Sequence, residues 1–280
     1  MKKNKHLFKA KDYLVTGSLF SIFWDEIKGF GYTDIDLQTN MDPYYLSGNY
    51  SSHKDKPTGL TDRIYNRVRN RMFEYKHHIL RKGVVSKKIL DFGAGTGSFG
   101  AYLNSKNWTV SVVEQSDKAR ALCQKKNLLS YKSIDELPST ERFSAITLWH
   151  VLEHLPDLEN TLSQLRNALD DQGKLIIAVP NNESFDAKHY KEYWAALDVP
   201  RHLWHFNSKG LKKLLKSNGF CFIKDHPLWF DAFYIAYLSE QHKGHSWPFL
   251  RGMGMGLISN IKAFFTKEYS SKIYVFQKET

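Results

Sequence analysis

The chain has 280 residues, of which 42% are hydrophobic and 14% aromatic, so it can bury a large core and is not a globally disordered chain. Its formal net charge is +11 at pH 7. Cys123 and Cys221 have no paired spacing, which excludes a disulfide framework and a cysteine zinc site and favours a cytoplasmic, reducing compartment. No secretory signal and no transmembrane run is found, because no long apolar stretch follows the basic N-terminus or occurs elsewhere.

The first part of the chain reads as two segments. Turn signals dominate residues 1–57, which predicts an irregular N-terminal extension before a main domain over residues 58–280. From Thr61 to Gly83, apolar residues recur every three or four positions and predict one helix. Between Lys54 and Lys88 there are eleven basic residues and three acidic ones. Such a face is either a solvated helix surface or a contact for RNA, anionic lipid or an acidic small substrate.

Strands and helices alternate after this helix. The predicted strands are 87–92, 108–115, 128–133, 143–151, 173–180 and 271–278, and the predicted helices are 98–106, 117–126, 158–170 and 208–218. Alternation of this kind predicts an α/β fold with a doubly wound, mostly parallel sheet. Ligands of such sheets bind beyond the carboxyl ends of the strands, near the point where the strand order reverses.

The first of these strands leads into a glycine-rich turn, Asp91-Phe-Gly-Ala-Gly-Thr-Gly97. A dinucleotide fingerprint would need glycine or alanine where Ser98 stands, and a phosphate loop would need a following Gly-Lys-Ser/Thr. An acid beside the turn disfavours pyrophosphate, and Glu114 at the next strand end can accept both hydroxyls of a ribose. The pattern therefore favours the cationic nucleoside S-adenosylmethionine over a nicotinamide cofactor, the alternative being a tight turn without a ligand.

These segments resemble the class I S-adenosylmethionine-dependent methyltransferases. ILDFGAGTGSFG is similar to their first motif and VVEQS to their second, while TLWHVLEHLPDLENTL and GKLIIAVPN resemble the segments around their fourth and fifth strands. The resemblance covers roughly Lys87 to Phe220. It implies a Rossmann-like seven-stranded sheet with helices on both faces, and methyl transfer that leaves S-adenosyl-L-homocysteine.

The resemblance also implies the residues that hold this cofactor. Its methionine part would be lined by the turn residues, and its ribose would be held by Glu114. Gln115 would flank the adenosine, and Ile134 and Asp135 would bracket the adenine. His150 would lie near the methionine part. The turn residues carried over in this way are Asp91, Gly93, Ala94, Gly95 and Gly97.

The N-terminal segment is similar to that of a methyltransferase subset in which a cysteine zinc ribbon precedes the catalytic domain. Asp25 and Lys28 stand where a cysteine pair would be expected. Without thiolates we expect no metal there. The segment would then act as a lid, as a lobe on the substrate side, or only as packing.

Two histidine-containing motifs remain. His150-Val-Leu-Glu153-His154 matches an inverted zinc-protease pattern, but a β-rich run before it and Pro156 after it disfavour the helix which that site requires. In the methyltransferase interpretation, His150 contacts cofactor or substrate. The second motif, residues 198–206, follows the fifth strand and should overhang the methyl group, either binding the acceptor or only anchoring the loop.

From these motifs we predict the acceptor side. Arg201 would bind an acceptor carboxylate or phosphate, with Trp204 and Tyr234 as further substrate contacts. Candidate bases for a hydroxyl acceptor are His150, His202 and His205. No metal is predicted to take part.

The late region, residues 226–266, is aromatic and apolar. Residues 247–265, which contain the glycine-rich stretch from Arg251 to Gly256, are expected to be a flexible insertion, with an interfacial membrane helix as the alternative.

The sequence thus predicts a methyltransferase for a small-molecule acceptor, acting on oxygen. Oxygen is favoured because no Asn/Asp-Pro-Pro-Tyr run follows the fourth strand. The alternatives are a nucleic-acid-directed enzyme that uses the basic helix over residues 61–82, and a non-catalytic relative that only binds the cofactor. Weak contact with a membrane surface is a further expectation, and no particular oligomeric state is predicted.

Overall fold

A computed structural model describes residues 4–36, 39–45 and 60–279. The boundary expected near residue 57 lies outside these residues. The strands are β1 Lys5–Lys11, β2 Leu19–Asp25, β3 Phe30–Thr33, β4 Lys88–Phe92, β5 Thr109–Val113, β6 Leu129–Tyr131, β7 Phe143–Trp149, β8 Leu169–Pro180, β9 Trp204–His205, β10 Phe220–Pro227 and β11 Ser271–Lys278. The helices are α1 Asp42–Tyr45, α2 Leu60–Leu80, α3 Ser98–Asn104, α4 Asp117–Lys125, α5 Leu158–Ala168, α6 Phe185–Tyr190, α7 Ser208–Ser217, α8 Trp229–His242 and α9 Pro248–Thr266.

Seven strands form the main sheet in the order β10-β11-β8-β7-β4-β5-β6. The five strands from β8 to β6 are parallel, and β10 and β11 are antiparallel to their neighbours. After β4 the chain adds β5 and β6 on one side and then returns to place β7 on the other. The strand order therefore reverses at β4 and β7, which is where the doubly wound pattern predicted a ligand site. The predicted fold class is confirmed.

The central strands consist largely of β-branched and other apolar residues, which explains why most of these side chains are buried. Residues of β4, β7 and β8 such as Leu90, Ile146 and Ile177 have no exposed surface, as expected for parallel strands covered on both faces. Amphipathic helices supply the cover: α5 and α7 pack on one face, and α2 and α3 on the other. The polar ends of the strands are thereby left as the natural place for chemistry.

In its described part the N-terminal segment forms strands, which corrects the prediction of an irregular extension. β1, β2 and β3 form an antiparallel sheet whose fourth strand is β9. Asp12 and Asp25 organise its turns: the Asp25 carboxylate accepts hydrogen bonds from the N–H groups of Ile27 and Lys28 at 2.8 and 2.9 Å. Side chains that bond to their own turn in this way stabilise the turn. The pairing of β3 with β9 joins this sheet to the loop that follows α6.

The predicted flexible insertion is also ordered. The glycine-rich stretch lies inside α9, a helix of 19 residues that packs against α8 as a hairpin. Glycine is used inside a helix where a neighbouring backbone leaves no room for a side chain. Gly252 is such a position, because it lies against the backbone of Tyr237 in this hairpin. In the described part of the chain, none of the helices combines the length and apolarity that crossing a membrane requires.

Candidate functional site

The glycine turn lies at the carboxyl end of β4 and opens a space above the sheet. Gly93, Gly95 and Gly97 all have positive φ, which non-glycine residues adopt only with strain. A β-carbon on Gly93 would clash with Val151, and one on Gly97 with Cys123. At Gly95, by contrast, a β-carbon would meet nothing within 4 Å. The turn is therefore packed from below and open at Gly95, as a cradle for a closely bound ligand requires.

Glu114 ties the turn to the end of β5. One carboxylate oxygen accepts a hydrogen bond from the N–H of Gly95 at 2.8 Å, and the other accepts one from the N–H of Ser116 at 2.9 Å. Ser116 in turn caps α4. Because both oxygens already receive backbone N–H groups, the carboxylate is held in one orientation beside the open turn. This position suits the predicted contact with ribose hydroxyls.

The remaining predicted cofactor residues lie along the same edge. Ala94 donates its N–H to the carbonyl of Val113, and Gln115 is exposed just after Glu114. Ile134 and Asp135 form a short 3-10 turn after β6, in which Asp135 accepts a hydrogen bond from Gln164 at 2.6 Å. The structure thus brings together the ends of β4, β5 and β6.

Asp91 lies deeper than predicted. Its carboxylate accepts a hydrogen bond from the hydroxyl of Thr147 at 2.6 Å and is almost fully buried. Burial raises the pKa of Asp91 to about 6, although the Thr147 hydrogen bond and the positive charge of Lys76 oppose the rise. Asp91 is thus buried beneath the turn. The positive charge that acts on its carboxylate in this structure is that of Lys76.

Lys76 comes from α2 and points toward the strand edge. Its ammonium nitrogen lies 4.2 Å from the centre of the Trp149 ring. Burial lowers the pKa of Lys76 to about 8, against the opposing attraction of Asp91 and Asp231. The Trp149 indole nitrogen is buried and has no hydrogen-bond partner. A cation and an unpaired N–H donor at this edge both suit a ligand that carries a carboxylate.

His150 follows β7 directly and has the left-handed backbone conformation, with φ of 56°. Its Nε2 lies 3.1 Å from a carboxylate oxygen of Asp231, and its Nδ1 lies 3.4 Å from one of Glu153. Burial disfavours the imidazolium, but the two carboxylates outweigh this and raise the pKa of His150 to about 9. His150 is therefore protonated at neutral pH. It still keeps about a third of its side-chain exposure (36%).

A group of three side chains behind His150 has the geometry to hold a metal ion. Ligand atoms of Glu153, His154 and His202 lie within 4.8 Å of one another. Both histidines have Nδ1 next to a main-chain carbonyl, that of Arg201 for His154 and that of Ala196 for His202. The Nε2 of His202 also lies 3.8 Å from a carboxylate oxygen of Asp198. Burial and the neighbouring His202 lower the pKa of His154 to about 4. Among the residues that the structure describes, one group of histidine, cysteine and acidic side chains has its ligand atoms this close together, and it is this group.

The second predicted motif is closed, not open. Arg201 is 1% exposed and lies between two carboxylates, 2.6 Å from Asp198 and 3.2 Å from Asp12 of the N-terminal sheet. Such saturation leaves no donor for an acceptor molecule, so the predicted substrate contact of Arg201 is not what this geometry provides. Its side chain joins the turn after β1 to the loop that contains Asp198.

His205 and Trp204 belong to the same closed region. The Thr33 hydroxyl donates to the carbonyl of His202 at 2.7 Å, so at 3.0 Å from Thr33 the Nε2 of His205 is the donor. Burial lowers the pKa of His205 to about 3. Its Nε2 proton thus holds the β3–β9 junction, and His205 is not placed as a base. The Trp204 indole donates to the carbonyl of Leu155 at 2.7 Å. Both are structural by their contacts.

Tyr234, the remaining predicted acceptor contact, lies on the outer surface of α8 and is 57% exposed. Three residues at the site were not predicted: Lys76, Asp231 and Glu153 as a partner of His150. Two of them give a faint signal in the sequence. Lys76 stands four positions after Met72 on an apolar stripe, and Asp231 is an isolated acid in an aromatic run.

Comparison with known proteins agrees with this arrangement. A family model described as "Methyltransferase domain" matches residues 64–224, more than half of the chain. A curated relative, an uncharacterized methyltransferase from Staphylococcus carnosus (strain TM300), is 29% identical over 109 residues, or 38% of this chain and 51% of the relative. The chain thus spans about half the length of the curated relative it matches.

Solved structures resemble the fold. Magnesium protoporphyrin IX methyltransferase from Synechocystis PCC 6803, solved with bound S-adenosylhomocysteine, has a TM-score of 0.53 and 14% identity, covering 84% of this chain and 97% of that one. The [4+2]-cyclase SpnF has a TM-score of 0.52 and 14% identity, covering 74% and 81%. At such identities the likeness shows the fold alone, and the second case shows that one fold serves different reactions.

Proposed function

We propose that this chain, which belongs to the methyltransferase domain family and is an S-adenosylmethionine-dependent methyltransferase, methylates a hydroxyl oxygen of a small-molecule acceptor. The observation that carries the proposal is the turn at Gly95, which is open above and joined below to the carboxylate of Glu114. Phosphate-binding loops present a bare row of N–H groups to an anion. Here the N–H of Gly95 already donates to the carboxylate of Glu114, so the site suits a nucleoside without phosphates.

The residues present fit the cofactor. Glu114 would hold the ribose hydroxyls, the open face of Gly95 would lie against the methionine part, and Lys76 would face its carboxylate. Ile134 and Asp135 would border the adenine. When bound, S-adenosylmethionine supplies a methyl group that its own sulfonium charge has already activated, so the proposed reaction needs no metal.

His150 is the proposed proton acceptor for the acceptor hydroxyl. It is partly exposed at the switch point of the sheet, whereas His202 and His205 are nearly buried. Its two carboxylate neighbours, Asp231 at Nε2 and Glu153 at Nδ1, stabilise the imidazolium that proton transfer produces, and the acceptor hydroxyl would have to displace one of them to reach a ring nitrogen. A base whose pKa is about 9 is active only in its neutral form, so the reaction should speed up as the pH rises toward 9.

Calorimetry with S-adenosylhomocysteine tests the cofactor site. Replacing Glu114 with alanine removes an acceptor for ribose and frees the N–H of Gly95, so we expect affinity to fall about 10- to 100-fold, as hydrogen bonds to charged groups are worth about 1.5–3 kcal/mol. Glu159→Ala, which removes an exposed acid on α5, is the matched control and should bind like the wild type. Equal affinity in all three proteins would remove the assignment.

Two alternatives make different predictions. A nucleic-acid acceptor bound by the basic face of α2 predicts RNA binding that weakens steeply with salt. A relative that uses the cofactor only as a structural ligand predicts no methyl transfer to any component of a metabolite extract. The proposal predicts labelled product from such an extract and no RNA binding.

A further inference from the structure

The hairpin of α8 and α9 packs its two helices through small residues. The buried positions of α9 are Gly252, Gly256, Ser259 and Ala263. A β-carbon on Gly252 would lie 2.5 Å from Cα of Tyr237, and one on Gly256 would lie 2.8 Å from Cα of Phe233. The two backbones are therefore nearly in contact. The inward face of α9 has no room for large side chains.

The outward face of α9 carries the large apolar residues instead. Seven of them keep between 44% and 77% of their exposure: Phe249, Leu250, Leu257, Ile258, Ile261, Phe264 and Phe265. With 3.6 residues per turn, these positions cover about half of the helix circumference. A surface helix in water has the opposite arrangement, with apolar residues inward and polar residues outward. Helices that face lipid pack through small residues in this way.

Aromatic residues extend this surface around the hairpin. Trp247, in the connection between the helices, is 75% exposed, and Tyr234 on α8 is 57% exposed. Trp229 and Phe230 at the start of α8 are also exposed. Monomers rarely expose a continuous apolar patch of more than a few hundred Å². Tryptophan and tyrosine at the border of such a patch are typical of the boundary between lipid and water.

The charges of the hairpin have one sign on the outside. Arg251, Lys262 and Lys267 are exposed on α9 and at its end. The two acids between residues 229 and 267 are turned inward: Asp231 faces His150, and Glu240 is 3% exposed against His245 and Arg251. A positive border beside an apolar face is complementary to anionic lipid headgroups.

We propose that the α8–α9 hairpin docks this protein on the surface of a bilayer that contains anionic lipids, with α9 lying in the plane of the headgroups. A spanning orientation does not fit, because one side of α9 is occupied by α8 along its length and none of the described helices meets the requirements for crossing. Asp231, in the first turn of α8, contacts His150, so the docked surface adjoins the proposed site. The inference goes beyond the proposed reaction and does not depend on it.

Co-sedimentation with vesicles tests the inference. We expect the full chain to bind phosphatidylcholine vesicles that contain phosphatidylglycerol, and to bind pure phosphatidylcholine vesicles more weakly. The double variant Phe264→Ser/Phe265→Ser should lower the partition coefficient at least about tenfold, because two exposed rings no longer enter the lipid. Lys262→Glu should reduce the preference for the anionic vesicles, since it reverses a charge at the border of the patch.

The control also replaces two exposed apolar residues with serine, but elsewhere on the surface. Leu19→Ser/Val85→Ser alters two residues that are 63% and 85% exposed and lie outside the hairpin, and it should bind vesicles like the wild type. Calorimetry with S-adenosylhomocysteine on every variant shows whether the fold and cofactor site are intact, and so separates a failure of docking from a failure of the proposed function. No vesicle binding by the wild type would overturn the proposal. An equal loss of vesicle binding in the control would also overturn it. The same holds if the protein binds no vesicles but forms a dimer in solution that Phe264→Ser/Phe265→Ser dissociates.

Discussion

The strand edge at β4 and β5 and the loop from Asp198 to His205 contain similar chemical groups but use them in opposite ways. At the strand edge, Gly95 is open and His150 keeps about a third of its exposure (36%). In the loop, Arg201 is 1% exposed, and its guanidinium already donates to the carboxylates of Asp12 and Asp198. Histidine and arginine are therefore candidates for chemistry only where solvent or a ligand can reach them, since both ring nitrogens of His150 also lie beside carboxylates.

The two regions also differ in what they hold together. The edge is built by the local conformation of one turn and two strand ends. The loop ties the N-terminal sheet to the rest of the fold, since Arg201 bonds to Asp12 after β1, β9 pairs with β3, and the N–H of Leu203 donates to the carbonyl of Glu153. We expect changes in the loop to alter stability and changes at the edge to alter ligand binding.

The largest effect is expected from Arg201→Ala. It leaves the carboxylates of Asp12 and Asp198 buried without their cation, and breaking a buried pair in this way costs about 3–5 kcal/mol. Urea unfolding should show this loss. Arg71→Ala, which removes an exposed arginine paired with Glu74, should change stability by less than about 1 kcal/mol. Equal stability of both variants would mean that the contacts of Arg201 with Asp12 and Asp198 do not stabilise the fold.

An intermediate effect is expected at Gly95. Gly95→Ala places a methyl group in the open cradle and also strains a residue with φ of 55°, so affinity for S-adenosylhomocysteine should fall at least about tenfold, with about 1–2 kcal/mol lost in stability. Gly244→Ala is matched to it, because Gly244 also has positive φ, at 69°, and open space. The control should lose similar stability and keep its affinity. If both variants bind equally well, the cradle is not at Gly95.

The smallest effect is a pKa shift at His150. Asp231→Asn removes one of the two carboxylates that raise the pKa of His150 to about 9, so this pKa should fall by about one unit or more. Titration of the histidine ring protons by NMR measures it, with Asp171→Asn, a largely exposed acid, as the control. The pH at which methyl transfer rises should move down by the same amount. An unchanged pKa would show that Asp231 does not hold the imidazolium.

The sign of the accompanying stability change follows from the same shift. The raised pKa of His150 favours the folded protein fully below about pH 6.5, and this contribution disappears as the pH rises through about 9. Asp231→Asn should therefore destabilise the protein more at pH 6 than at pH 10.

What the sequence predicts well is local. The strands of the main sheet and the turn from Gly93 to Gly97 follow from short-range patterns, because alternation and glycine placement act within a few residues. Arg201 and His205 look reactive in the sequence, but their burial depends on strands more than 160 residues away. Lys76 was hidden for the converse reason: it is one basic residue among many, and only the packing of α2 points it inward.

The hairpin shows a different limit. The glycines of α9 suggested flexibility, yet they mark a close helix contact, as the distances at Gly252 and Gly256 show. The spacing of the small residues of α9 marks the face that contacts α8. The sequence pattern alone does not show whether the large apolar residues on the other face point to the core or to the outside.

The junction of β3 and β9 has a consequence for the order of folding during synthesis. Thr33 bonds to the carbonyl of His202, 169 positions later in the chain. At about 5–20 residues per second, a ribosome needs roughly ten to thirty seconds to make the second partner after the first. For that time β3 offers a bare strand edge in the nascent chain, where unwanted pairing starts. Chaperones that shield such edges should therefore raise the yield of folded protein.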